Sequence, residues 1–97
     1  MIILNHIHIN ELRQIVNQIN LIDIREELEF QSLPKLGQAK HIPMGQLVSN
    51  PEQYLLKDES YYLICRSGYR TEQVAQYLSS LGYDVINVQG GMLAYYE

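Results

Sequence analysis

The apolar positions of the chain fall into short runs separated by stretches with helical spacing. Tyr61-Tyr62-Leu63-Ile64 is a continuous apolar run and reads as a strand buried on both faces. Leu21-Ile22-Asp23-Ile24-Arg25 and Asp84-Val85-Ile86-Asn87-Val88 read as further strands, and the alternating Ile7-His8-Ile9 as an edge strand. Between them the period becomes helical. Leu12, Ile15, Val16 and Ile19 share one face of a helix that Asn10 is placed to cap and Asn20 to stop. Val74, Ala75, Leu78 and Leu81 share one face of a longer helix. It runs from Thr71 to Gly82, and Tyr83 folds back on its last turn. Asn50-Pro51-Glu52-Gln53 has a cap, a proline at the first helical position and an acid in the first turn, so a short helix reaching Lys57-Asp58 is expected. Residues 31–40, with Pro34 and Gly37, read as a loop or a broken helix, and His41-Ile42-Pro43-Met44-Gly45 as a turn. After the turn Gln89-Gly90-Gly91, Met92-Leu93-Ala94-Tyr95-Tyr96 reads as a short closing helix. Strands alternating with helices predict an α/β domain whose mainly parallel sheet is covered on both faces.

A length of 97 residues fits one domain spanning 1–97 with a single core. A net charge of −4, with no basic run, argues against nucleic acid or an anionic membrane as partner. One cysteine excludes an internal disulfide and a Cys-x-x-Cys redox pair. The first residues lack the pattern of a secretory signal, and no apolar stretch reaches bilayer length, so a soluble cytoplasmic location is expected.

The chemistry concentrates where the Tyr61–Ile64 run stops. Cys65 is followed by Arg66, Ser67, Gly68, Tyr69, Arg70 and Thr71, and then by the helix. The first turn of a helix leaves amides without intrahelical partners, and these with the helix dipole favour an anion. Gly68 allows the loop to curl until successive amides point at one centre. A thiol at that centre, with two arginines near it, is expected to ionise readily and act as a nucleophile. A cysteine at the end of a buried strand can also be simple packing, but the loop and helix behind it favour function.

Other candidates are weaker. Asp23 is a carboxylate inside an apolar run, so it needs a partner, and its place at a strand end suits support of a site. Arg25 can pair with Asp23 or with one of Glu26, Glu27 and Glu29. His41 is expected to fix its loop by a hydrogen bond. His6 and His8 share one side of a strand, but two histidines fall short of a zinc ligand set, so no metal is expected.

Four segments resemble the rhodanese family, in order and across nearly the whole chain. They are Leu21-Ile22-Asp23-Ile24-Arg25-Glu26, His41-Ile42-Pro43, Cys65-Arg66-Ser67-Gly68-Tyr69-Arg70, and Val88-Gln89-Gly90-Gly91-Met92 through Tyr95. The resemblance implies a three-layer α/β/α fold with a mainly parallel five-stranded sheet and no cofactor. It implies a persulfide on Cys65, filled from a small anionic donor such as thiosulfate and emptied by cyanide, a thiol or a sulfur-relay protein. The amides from Arg66 to Thr71 would cradle the persulfide, Arg66 and Arg70 would attract the donor, and Asp23 and Arg25 would be scaffold. Lys40, Met44 and Gly45 depart from the small residues usual around the His-Ile-Pro turn, and Tyr95 replaces a common tryptophan. Phosphatases of related fold are the enzymatic alternative. Their loop is one residue longer, because a tetrahedral oxyanion needs a wider cradle than a single sulfur, whereas four residues lie here between Cys65 and Arg70.

Overall fold

The computed structural model describes residues 5–95. In chain order the elements are β1 (Asn5–His8), α1 (Ile9–Ile15), a 3-10 turn (Val16–Gln18), β2 (Asn20–Asp23), α2 (Glu27–Ser32), β3 (Lys40–His41), α3 (Met44–Ser49) and α4 (Pro51–Tyr54). They continue with β4 (Ser60–Ile64), α5 (Tyr69–Ser80), β5 (Asp84–Gln89) and α6 (Gly91–Tyr95). The strands form one five-stranded sheet in the order β1-β5-β4-β2-β3, with every pairing parallel.

Side-chain alternation along the strands divides the core into two layers. On one face Ile22, Leu63 and Val85 meet Leu47 of α3 and Val74, Ala75 and Leu78 of α5. On the other, Leu21, Ile64 and Val88 meet Ile9 and Leu12 of α1 and Met92 of α6. The continuous apolar run of β4 is thus explained: successive residues serve opposite layers of a strand with neighbours on both sides.

The strand order also places the site. The chain leaves β2 toward β3 on one side and β4 toward β5 on the other. The gap between β2 and β4 at their carboxyl ends is therefore a topological switch point. Asp23 pairs in register with both Ile64 and His41, so the segments that follow these strands start side by side.

Several local expectations are corrected. Asn10 does not cap α1; His8, in extended conformation, does so by accepting the Asn10 amide on Nδ1 at 3.1 Å. Ile9 belongs to that helix and not to the edge strand, and Asn20 opens β2 and does not stop the helix. Leu81 is exposed, while Leu78 supplies the last buried turn of α5. The end of α5 follows the expected pattern, with Gly82 at φ 97° and the Tyr83 amide bonded to the Leu78 carbonyl at 3.2 Å. The Asn50-Pro51 helix ends at Tyr54, short of Lys57-Asp58. The stretch expected to be a turn after Pro43 instead continues into α3, because Pro43, at φ −54°, serves as its N-cap. α2 arises in the glutamate-rich stretch through a capping box between Glu26 and Glu29. The expected closing helix appears as α6; Tyr96 lies outside the described residues.

Leu63 lies at the centre of the sheet and is fully buried. Leu63→Ala is expected to lower the unfolding free energy by about 2–5 kcal/mol, read from urea denaturation; a loss below about 1 kcal/mol would contradict this packing.

Candidate active site

β4 delivers Cys65 to the switch point, where it is fully buried. Gly68 turns the chain through φ 96° and directs its own amide back at Cys65 Sγ, 3.2 Å away. Tyr69 then starts α5, so the sulfur lies beside the amino end of a 12-residue helix. Thr71 Oγ1 is 3.6 Å from Sγ and donates to the Gly68 carbonyl at 3.1 Å. A single hydroxyl proton can serve only one of these acceptors at a time. A thiol can therefore donate to Oγ1, and an ionised sulfur can take the hydroxyl proton instead.

The back of the loop is clamped by α6. The Met92 amide donates to the Cys65 carbonyl at 2.9 Å and the Leu93 amide to the Arg66 carbonyl at 2.8 Å. This approach requires glycine at 91, where a Cβ would stand 2.5 Å from the Cys65 carbonyl oxygen. Gly68 itself packs against the Gly90 backbone, 3.2 Å from where its Cβ would be. The Gly-Gly pair and the cysteine loop thus form one backbone-to-backbone contact.

Asp23 and Arg25 form a buried unit at the end of β2. The Asp23 carboxylate accepts the Arg25 amide at 3.0 Å and Arg25 Nη2 at 2.8 Å. Arg25 Nη2 also reaches the Pro34 carbonyl at 3.1 Å. Asp23 is therefore the partner of Arg25, and the choice left open by the sequence is resolved. His41 Nε2 donates to the Arg25 carbonyl at 2.8 Å, and Phe30 stacks on the His41 ring at 4.1 Å, so this histidine holds its loop.

Arg70 is held by Glu29 in a two-pronged ion pair at 2.6 and 2.9 Å that ties α5 to α2. Residues 41 positions apart give no periodic signal of such a pair. Arg66, Ser67 and Tyr69 are exposed at the surface of the loop. Arg25 and Arg70 are each tied to a carboxylate, and Arg66 makes no ion pair among the described residues. A cleft of about 220 Å³ lies beside the loop, lined by Arg25, Leu33, Pro34, Arg66, Met92 and Leu93. His6 contacts Asn87 and His8 is used as a cap; no cluster of three or more metal-ligating side chains occurs among the described residues. Nor is any helix among them long and apolar enough to cross a membrane.

The Arg70 guanidinium lowers the Glu29 carboxyl from 4.5 to about 2, chiefly through their hydrogen bonds. A carboxyl depressed by folding contributes stability that is complete above its ordinary value and is lost as pH falls through the folded value. Wild type should therefore lose this contribution between about pH 4.5 and about pH 2. Glu29→Gln lacks it, so the stability gap between the two proteins should narrow across that window in urea unfolding. A gap unchanged over that range would rule out the pairing.

The sequence profile described as the rhodanese-like domain matches residues 8–97. Bacillus subtilis "Putative sulfurtransferase YtwF" is 42% identical over 80% of this chain and 74% of its own length. "Putative sulfur carrier protein YrkF" of the same organism is 35% identical over 76% of this chain, which spans 40% of that relative. The crystal structure of a rhodanese-like domain protein from Staphylococcus aureus superposes with a TM-score of 0.85 at 30% identity, covering 95% of this chain and 91% of that one. With an all-parallel five-stranded sheet and the cysteine loop at its switch point, the chain belongs to the rhodanese-like family.

Proposed function

We propose that this protein moves sulfane sulfur from a small anionic donor such as thiosulfate to cyanide or a thiol through a persulfide on Cys65. The observation that carries the reading is the Gly68 amide aimed at Cys65 Sγ beside the amino end of α5. In the first half-reaction the Cys65 thiolate attacks the outer sulfur of thiosulfate. An S–S bond forms to Cys65, and the bond to the leaving sulfite breaks with its electron pair. In the second, the acceptor attacks the outer sulfur, and the electron pair returns to Cys65. Neither half needs an external oxidant or a cofactor. Backbone amides from Arg66 to Thr71 surround the outer sulfur in this scheme, and the hydroxyl of Thr71 follows the charge on the inner one. Arg66, which makes no ion pair among the described residues, draws in the anionic donor. Arg70 contributes less than its charge suggests, because Glu29 already occupies its guanidinium. Asp23 and Arg25 are positioning residues that hold the floor beneath the loop.

A second reading is a persulfide carrier that exchanges sulfur with another protein and turns over free small molecules slowly. The complete burial of Cys65 and the likeness to a relative named as a sulfur carrier favour it. Fast exchange of one sulfur with a partner protein, beside slow formation of thiocyanate, would select this reading.

With thiosulfate and cyanide, the wild-type protein is expected to form thiocyanate and Cys65→Ser to form none above background; equal rates would overturn the reading. Arg66→Gln should raise the KM for thiosulfate by about tenfold, the equivalent of about 1.4 kcal/mol of lost contact. Arg70→Gln should raise it less, and the reverse order would remove Arg66 as the anion-recognising residue.

A further inference from the structure

The outer face of α5 takes no part in the sulfur chemistry. Among the described residues six large apolar side chains are exposed, and three of them, Tyr69, Tyr77 and Leu81, belong to α5 and its C-cap. With Gln73 they fall at intervals of four, a spacing that stacks side chains into one ridge along a helix. Beside the ridge a groove of about 340 Å³ runs between α3 and α5. Met44 and Val48 line it from α3, and Gln73, Val74 and Tyr77 from α5. Gly45 leaves the groove open, since no atom lies within 4 Å of where a Cβ would stand.

Neither ridge nor groove contains a charged residue. α3 has none, and the chain has none from Gln73 to Tyr83, although 19% of its residues are charged. The two charges of α5, Arg70 and Glu72, sit in its first turn, and Arg70 is paired with Glu29. Loss of charge beside tyrosine and methionine is the composition of an interface core. Shape and charge together select the occupant. An apolar ridge next to an apolar groove on one face is self-complementary, because the ridge of each copy can enter the groove of the other. A net charge of −4 opposes self-association in general, and this face sets no charge against its own copy. We propose that this face is the contact between two copies of the chain, related by a two-fold axis, with Tyr77 of each copy seated in the α3–α5 groove of the other.

The test is sedimentation velocity of the full chain over rising concentration, and it does not depend on the persulfide reading. Wild type is expected to pass from one chain to two with a dissociation constant on the order of 100 µM or tighter, as suits a small interface. Tyr77→Lys on the ridge and Gly45→Glu in the groove should each raise that constant by about tenfold or more, because each puts an unpaired charge into an apolar contact. Both positions are exposed in the single chain, so neither change should lower the urea unfolding midpoint. An equimolar mixture of the two variants should return to within about threefold of the wild-type constant, since the lysine of one then meets the glutamate of the other. Leu28→Lys, at a leucine 77% exposed on α2, makes the same change in net charge as Tyr77→Lys and should leave association intact. A wild-type mass that stays that of one chain up to about 1 mM would overturn the contact. So would a pair that both variants leave intact, or a mixture no more associated than its components.

Discussion

The hydrogen bond from the Gly68 amide to Cys65 Sγ depends on a backbone turn that a side chain would obstruct. A Cβ at Gly68 would crowd the Gly90 amide and the Val88 carbonyl, and one at Gly91 would collide with the Cys65 carbonyl. Cys65 is therefore held by main chain on two sides, at its sulfur and at its carbonyl. The helix that follows supplies the amide in front, and the last helix pins the carbonyls behind. Because these contacts involve backbone atoms, the surface side chains of the loop are free to vary in chemistry while its geometry stays fixed.

The second fixed element is the ionic unit below the loop. A buried carboxylate and guanidinium are costly to desolvate unless their hydrogen-bonding groups are satisfied. Here Asp23 takes both the side chain and the amide of Arg25, the guanidinium reaches the Pro34 carbonyl, and His41 takes the Arg25 carbonyl. Three segments, at residues 23–25, 34 and 41, thus meet at one residue. Glu29 and Arg70 form the corresponding link nearer the surface, where solvent screens the pair and its contribution is smaller.

The parts of this arrangement visible in the sequence are those with a local signal. The apolar run of β4, the cysteine at its end, Gly68 and the helical face of Val74, Ala75 and Leu78 each announce themselves within a few residues. Asp23 is recognisable as needing a partner, but the sequence does not choose between pairings, since Asp23, Glu26, Glu27 and Glu29 all lie within four residues of Arg25. The clasp of Arg70 by Glu29 and the clamping of the loop by α6 are long-range contacts with no periodicity to reveal them. Asparagine is the more usual capping residue and so points to Asn10 for α1, whereas the nitrogen of His8 is already in position at the strand end. The helix after Pro43 was missed because proline and glycine together suggest a turn, and here the proline starts the helix.

The fastening of α6 to the cysteine loop couples the two mechanically. A helix of five residues is about 8 Å long, so Tyr95 stands within about that distance of Gly91, the residue packed on the Cys65 carbonyl. Arg13 anchors the far end of α6, bonding the Tyr95 carbonyl and lying 4.0 Å from the centre of its ring. A displacement of α6 would therefore reach the cysteine loop within the length of five residues.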